Sequence, residues 1–198
     1  LTATPIRTPE NGSRQLMALF DNQYIYKISM SDLITKKILS DPHFERINTE
    51  QDFEPMINID EEKFIQKYGE LPESLVTKIA TSNQRNQLIV ETYLKNRETY
   101  GKTLIFALNK LHCIGLFEDL SKHGIKCDYI YSGLPNNDAK IKRFCINKND
   151  KDGLDVLINI NIMTEGSDIP NIETVFLTRP TSSEGLLMQM IGRGMRGV

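Results

Sequence analysis

The sequence predicts an α/β fold built on a parallel sheet, and the second half of the chain carries the observations that predict it. Nearly continuous apolar runs occupy residues 103–108, 127–131, 156–160 and 174–177. Stretches with helical periodicity alternate with most of these runs. Strands that are apolar along their whole length are usually covered on both faces, and alternation with helices favours parallel strands. We therefore expect a parallel sheet with helices on both faces.

The first hundred residues predict mostly helices. Ser, Asp and Asn cap helix N-termini, Pro fits the first turn, and Gly ends helices. Residues 43–59 show no clear pattern and suggest one edge strand and a loop. The other expected elements are the end of a strand at 1–5, a helix at 14–21, a strand at 24–28, a helix capped by Ser31 and ended by Asp41-Pro42, a helix from Asp60 to Gly69, a helix opened by Pro72, and a helix from Ser82 to Gly101.

Three further helices are expected among the apolar runs. The first is capped by Asn109 and ends at Gly124, the second starts at Asn136 or Asn137, and the third runs from about Ser183 to Arg193. Right-handed crossovers place the loop after each parallel strand at the carboxyl edge of the sheet, where ligands bind. We expect Ser132-Gly133, the loop at 164–170 and the start of the last helix at that edge.

Composition sets the broad class of the protein. The 198 residues are enough for one substantial domain, and 24 Lys plus Arg against 26 Asp plus Glu give a net charge of −2. The chain therefore lacks the basic excess of many nucleic-acid-binding proteins, although a groove can hold phosphates through backbone amides. Cys113, Cys127 and Cys145 have no metal-like spacing, so reduced thiols in a cytoplasmic protein and no metal site are expected. With no signal peptide and no apolar run near 18 residues, we expect no membrane segment.

Two arginines near the end of the chain carry the strongest chemical signal. Arg193 and Arg196 are three residues apart on an expected helix, so both guanidinium groups can face one anion. A guanidinium is a planar, permanently charged fork that matches phosphate oxygens. This arrangement favours stabilisation of a phosphoryl group during transfer. The alternative is a solvated helix end, where cations offset the helix dipole.

Three other strings imitate known sites and are rejected by their context. Residues 101–103 read Gly-Lys-Thr, but a P-loop needs a glycine where Asn96 stands, a strand before it and a helix after it. Residues 192–197 fit a dinucleotide fingerprint, but they end a helix instead of opening one. The acids in residues 57–62 suit the first turn of a helix better than a magnesium site. A complete ATP-hydrolysing apparatus is therefore not expected in this chain.

The ordered set of motifs resembles the second motor lobe of a superfamily 2 helicase or translocase of the DEAD/DEAH-like group. Motor subunits of type I and III restriction enzymes look like the nearest branch. The resemblance covers most of the chain and is strongest from Lys102 onward. The matching segments are 1–7 for motif III, 103–107 for motif IV, Ser132-Gly133, Phe144, 163–170 for motif V, 178–183, and 189–196 for motif VI.

This resemblance implies a RecA-like parallel sheet with helices on both faces. Residues 1–12 would end a first lobe and its linker, residues 13–198 would form the second lobe, and residues 102–198 would be its regular βα part. ATP with Mg²⁺ would be bound mainly by the first lobe, so the fragment alone is expected to be inactive. Expected partners are that first lobe, nucleic acid with DNA favoured over RNA, and nuclease or methyltransferase subunits of a restriction-type system.

The resemblance also implies roles for individual residues. Arg193 and Arg196 would be the catalytic arginine fingers, and Gln189 would help to position the γ-phosphate. Gly166 would let the backbone approach the nucleotide, and Asp168 would accept a hydrogen bond from the ribose, unless it is a loop cap. Four positions would contact nucleic-acid phosphates: Thr164, Ser132, Gly133 and Asn109. The alternative for these four is an ordinary structural role in turns. Thr2 and Thr4 would couple the nucleotide to the nucleic acid.

Two function classes other than a motor remain open on the residues alone. One is a catalytically silent helicase-like module that docks proteins or nucleic acid. The other is a nucleotide-sugar transferase with two doubly wound lobes, whose Glu-Gly loop resembles Glu165-Gly166. The paired arginines argue against the transferase, because its reaction transfers no γ-phosphate that they would neutralise.

Overall fold

The computed structural model describes residues 10–23, 26–49, 57–68, 70–147, 150–160, 169, 171–181 and 183–196. Four strands form one sheet in the order β2-β3-β1-β4, and every neighbouring pair is parallel. The strands are β1 (Thr103–Phe106), β2 (Cys127–Tyr131), β3 (Val156–Ile160) and β4 (Thr174–Leu177). The predicted parallel α/β fold is therefore confirmed, with each strand lying inside its predicted apolar run.

Eight helices accompany the sheet in the described part of the chain. None of them is long and apolar enough to cross a membrane. They are α1 (Glu10–Ala18), α2 (Met30–Thr35), α3 (Ile59–Tyr68), α4 (Glu73–Ala80), α5 (Asn83–Tyr100), α6 (Lys110–Lys122), α7 (Asn137–Cys145) and α8 (Glu184–Gly194).

Alternating side chains of the strands fill two apolar layers, one on each face of the sheet. Ile105 of β1 packs in one layer with residues of α5 and α6, such as Tyr93 and Leu116. Its neighbour Leu104 packs in the other layer with residues of α7 and α8, such as Phe144 and Met190. Because successive strand residues point to opposite faces, one short strand supplies both layers. This explains why the strands read as continuous apolar runs.

The caps of the three longest helices match the sequence prediction. The side chains of Ser82, Asn109 and Ser183 accept hydrogen bonds from the backbone of the first turns of α5, α6 and α8. Gly101 follows α5 with a φ of 57°, where a Cβ atom would lie 2.2 Å from the carboxylate of Glu173. The positive φ favours glycine at this position, whereas the Glu173 side chain could move to admit a Cβ atom.

The string Gly-Lys-Thr at 101–103 has a structural role, as its context predicted. Lys102 is buried at the amino edge of the sheet, and its ammonium donates to the carbonyl oxygens of Phe144 and Leu154. Its backbone N–H donates to Glu173 Oε1 at 3.0 Å. The lysine thus ties β1 to the end of α7 and the approach to β3, and it is not part of a phosphate loop.

Several predictions for the first half of the chain are wrong. Residues 26–29 form no strand, because they pair with none of the four strands. The cap of α2 is Ser29 instead of Ser31, and that helix ends at Thr35, well before Asp41. Asn58 caps α3 in place of Asp60, since its side-chain oxygen accepts from two backbone N–H groups at 2.9 and 3.0 Å.

Residues 39–49 run without regular structure beside the end of α8. Leu39 forms an isolated antiparallel bridge with Arg196, and the N–H of Ser40 donates to the carbonyl of Met195 at 2.9 Å. Further along, Glu45 accepts a hydrogen bond from the hydroxyl of Tyr100 at 3.1 Å. This segment therefore fixes the backbone at the two arginines against the rest of the molecule.

Candidate functional site

The helix with the paired arginines starts beyond the carboxyl end of β4 and returns along that strand. Ser183 caps its start six residues after Leu177, and near its end Gly194 lies against Val175. A Cβ atom on Gly194 would be 2.8 Å from Val175 Cγ2. The start of α8 thus lies at the carboxyl edge as predicted, whereas the arginines lie toward the amino-terminal part of β4.

The two arginines occupy different environments, and only Arg193 lies on the helix that was predicted to carry both. The helix ends at Gly194, so Arg193 belongs to it and Arg196 lies beyond it. Arg193 is buried, with 5% of its surface exposed, while Arg196 is exposed. Met195 between them keeps right-handed helical dihedral angles, so the difference lies in how deeply the two side chains are buried. The bridge to Leu39 determines where Arg196 leaves the helix.

Gln189, Arg193 and Arg196 each have interaction partners within the chain. Gln189 is half-buried near the middle of α8, one residue before the buried Met190. Of these three, Arg196 alone is exposed to solvent. A phosphate group presented by another domain can therefore meet Arg196 directly, whereas Arg193 would act from inside the fold.

The carboxyl edge brings together Asn109, Ser132 and Gly133, as predicted. Asn109 follows β1, and the other two residues follow β2. Because β3 lies between β1 and β2, these two strands are about 10 Å apart. Ser132 and Gly133 are exposed, and Gly133 adopts a φ of 84°. The oxygen of Asn109 accepts from the N–H of His112 at 2.9 Å, so a phosphate would have to be bound by its amide nitrogen.

A buried polar cluster beneath this edge was not predicted from the sequence. Arg85 of α5 donates to the carbonyl of Thr178, and the hydroxyl of Thr178 donates to the carbonyl of Phe106 at 2.7 Å. These bonds join α5, the end of β1 and the segment that leads into α8. The available signal was the helical spacing of Arg85, Ile89 and Tyr93, which places the arginine on the inner side of α5.

Burial shifts the pKa values of two groups in this cluster. It lowers the pKa of Arg85 to about 10, and the guanidinium stays charged at neutral pH. Burial and, to a smaller extent, the charge of Arg85 lower the pKa of His112 to about 3. The neutral ring of His112 accepts the N–H of Leu108 on Nδ1 at 3.2 Å. Within the described part of the chain, neither the ring nitrogen Nε2 of His112 nor Arg85 Nη1 has a hydrogen-bond partner, although both atoms are buried.

A groove of about 830 Å³ follows the outer edge of β4. Its walls come from the segment 40–49, helix α5 and strand β4, and the end of α8 closes it with Met195 and Arg196. Both Arg196 and the buried Arg85 line this groove. The exposed arginine thus stands at the end of a concave surface.

Five predicted positions lie outside the described residues. They are Thr2, Thr4, Thr164, Gly166 and Asp168. Among the described residues, no group of three or more His, Cys, Asp or Glu side chains is arranged to hold a metal ion.

Comparison with known protein families gives one clear match. Residues 84–198, more than half of the chain, match the family described as the helicase conserved C-terminal domain. The matched region starts inside α5 and includes all four strands and the helices α6, α7 and α8. The family match therefore coincides with the regular βα part of the fold.

Similar individual proteins include two from yeasts and one from bacteria. The chain is 30% identical over 192 residues to a putative ATP-dependent helicase IRC3 of Saccharomyces cerevisiae, covering 96% of the chain and 26% of that protein. It is 30% identical over 196 residues to a putative mitochondrial ATP-dependent helicase irc3 of Schizosaccharomyces pombe, covering 99% and 30%. UvrABC system protein B of a Synechococcus strain is 30% identical over 128 residues, covering 60% and 18%.

Among solved structures, the helicase domain of Hef from Pyrococcus furiosus is similar over 57% of this chain and 23% of that one. Its sequence identity is 21% and the TM-score is 0.41. The chain spans less than a third of the length of the two yeast relatives.

Proposed function

Because the chain belongs to the helicase conserved C-terminal domain family, we propose that it is the second motor lobe of an ATP-dependent superfamily 2 helicase or translocase that acts on nucleic acid. The names of its relatives support the use of ATP. In this proposal residues 13–198 form the lobe and residues 1–12 link it to a first lobe. The nucleotide lies between the two lobes and is held mainly by the first.

The observation that carries the proposal is the placement of Arg196. Its side chain is exposed, while its backbone is fixed by the bridge to Leu39 and by the end of α8. A permanently charged fork on a fixed backbone is suited to neutralising charge that develops on a transferring phosphoryl group. The same residue on a free chain end would lose this preorganisation.

The two arginines then have distinct roles. Arg196 is the catalytic residue that contacts the γ-phosphate across the cleft. Arg193 is a positioning residue, because it is buried and acts from within α8. Gln189 supports the γ-phosphate from the same helix. Hydrolysis of ATP with Mg²⁺ supplies the free energy for movement, and the acids that bind the metal belong to the first lobe.

The remaining predicted contacts complete this proposal. Thr164, Ser132, Gly133 and Asn109 hold nucleic-acid phosphates, and their position after parallel strands suits contacts from backbone amides and short polar side chains. Gly166 and Asp168 contact the nucleotide. Thr2 and Thr4 couple the nucleotide to nucleic acid. Closure and opening of the two lobes during hydrolysis would change the spacing of the phosphate contacts and move the strand.

The wider setting is also a proposal. We propose a cytoplasmic protein that acts on DNA, in a restriction-type system with nuclease or methyltransferase subunits. The three cysteines are free thiols, which suits a reducing compartment. One yeast relative is named as a mitochondrial helicase, and imaging the tagged protein in its own cell tests the cytoplasmic assignment.

The test is nucleic-acid-stimulated ATP hydrolysis by the protein that contains both lobes. Replacing Arg196 by Ala should lower kcat by about 10³-fold, because arginine fingers contribute rate factors of that order. Arg97→Ala is the matched control, since Arg97 is also exposed but lies at the end of α5 beside Glu98. Undiminished turnover in Arg196→Ala would remove the motor role and favour the silent docking module.

A further inference from the structure

Three aromatic rings form a column along the edge strand β2. The rings of Tyr129 and Tyr131 are nearly parallel, with an interplanar angle of 16° and centroids 6.0 Å apart. Phe117 of α6 meets Tyr129 edge to face at 5.0 Å. We name these three residues the aromatic column. Because Tyr131 is the last residue of β2, the column ends at the carboxyl edge of the sheet.

Two lysines lie over the rings, and they differ in their other contacts. Lys140 is 4.5 Å from the centroid of Tyr129 and also forms an ion pair with Asp128 at 2.7 Å. Lys110 is 4.9 Å from the centroid of Tyr131 and is exposed. Among the ion pairs of the described residues, Lys110 takes part in none. An exposed cation over an aromatic face is held by only about 0.5–1 kcal/mol, so another group can displace it.

The residues that follow the end of the column are exposed. Ser132 and Gly133 follow Tyr131 directly, and both are exposed. Among the described residues other than its chain neighbours, none has an atom within 4 Å of a Cβ atom placed on Gly133. The backbone around Tyr131 is nevertheless fixed, because its carbonyl accepts from Asn137 Nδ2 at 3.0 Å and from the N–H of Leu134 at 3.1 Å. The half-buried ring of Tyr131 thus stands on a fixed backbone beside two exposed residues, at the edge where phosphates are proposed to bind.

We propose that Tyr131 is a stacking platform for one unpaired base of a single-stranded nucleic acid, and that Lys110 moves from the ring to a neighbouring backbone phosphate. Every base has a flat face that can stack on an aromatic side chain, so the contact needs no particular sequence. Bases within a duplex already stack on each other, which favours the single strand as the ligand. This inference rests on the proposed function and narrows its substrate to unpaired nucleic acid.

The test is equilibrium binding to the protein that contains both lobes, without nucleotide. A fluorescent oligothymidine of about 12 nucleotides and a duplex of equal length are the two probes, with anisotropy as the readout. Tyr131→Ala should weaken single-strand binding at least about fivefold, the lower end of what base stacking contributes. Tyr131→Phe should bind like the parent protein, because the flat ring remains. Binding of the duplex should be unchanged in both variants.

Two further variants control for folding and for the loss of any tyrosine. Tyr131→Leu keeps an apolar side chain but lacks a flat face, so it should weaken single-strand binding as Tyr131→Ala does. Tyr26→Ala removes a tyrosine that is 74% exposed and lies outside the column, and it should leave binding unchanged. The proposal is overturned if Tyr131→Leu binds the single strand as tightly as the parent, or if both probes weaken equally.

The lysine is tested separately by its dependence on salt. Lys110→Met should lower the slope of log K against log [salt] for the single strand by about 0.7, as expected for one lost phosphate contact. An unchanged slope would overturn the role of Lys110. Failure of the motor assignment is distinguishable, because it shows as undiminished ATP hydrolysis in Arg196→Ala whatever the binding results at Tyr131.

Discussion

At the scale of single residues, Arg85 and His112 form a pair of buried ionisable groups in the described part of the chain. Burying an arginine costs free energy, because its charge loses contact with water. His112 stays neutral beside it, because His112 is itself buried and because the charge of Arg85 disfavours a second positive charge. Arg85 nevertheless connects α5 to Thr178, which precedes α8. We infer that this cluster holds the approach to α8 in place.

The low pKa of His112 makes stability depend on pH. The folded-state pKa is about 3, below the ordinary value of 6.5, so between these values the unfolded state binds a proton that the folded state does not. Stability therefore falls as the pH falls through this window, by about 1.4 kcal/mol per pH unit. Urea unfolding at pH 7 and pH 5 should show a loss about 2 kcal/mol larger in the parent protein than in His112→Gln. Equal losses in both proteins would contradict the buried neutral histidine.

At the scale of elements, the contact between α8 and β4 determines where the arginines lie. Two glycines of the same helix differ sharply in their surroundings. A Cβ atom on Gly194 would lie 2.8 Å from Val175 Cγ2, whereas one on Gly192 would have no described neighbour within 4 Å. Valine has little freedom to move its methyl groups, so a larger residue at 194 must push the helix away from the strand.

This difference predicts opposite effects for the same substitution. Gly194→Ala should lower the free energy of unfolding by about 1–3 kcal/mol through overpacking. Gly192→Ala should leave it unchanged or raise it by up to about 1 kcal/mol, because alanine favours the helix. Urea denaturation of the two variants gives both values. Similar destabilisation by both would show that the packing of α8 differs from this structure.

At the scale of the whole molecule, the regular part of the fold was predictable because it repeats one pattern. Each strand carries apolar residues for two layers, and capping residues such as Asn109 mark where the helices start. The same local rules failed before residue 60, where two serines two positions apart could both cap α2. The choice of Ser29 and the path of residues 39–49 depend on contacts distant in sequence, such as the bridge between Leu39 and Arg196.

The candidate site was predictable only where it follows from the repeated pattern of strands and helices. The positions of Asn109, Ser132 and Gly133 follow from strand ends and the parallel topology. The separation of Arg193 from Arg196 was not predictable, because it depends on a helix end that is fixed by another segment. The aromatic column was also missed, since Phe117 and Tyr129 meet only when α6 packs on β2.

The central claim is that this lobe presents Arg196 to a nucleotide held by a second lobe. The most direct measurement is a structure of the two-lobed protein with Mg²⁺, ADP and fluoroaluminate, which mimics the transferring phosphoryl group. The account predicts that the guanidinium of Arg196 donates to the fluoroaluminate at about 2.7–3.2 Å, with Arg193 still buried in α8. An Arg196 side chain turned away from the nucleotide and paired with a carboxylate of its own lobe would contradict it.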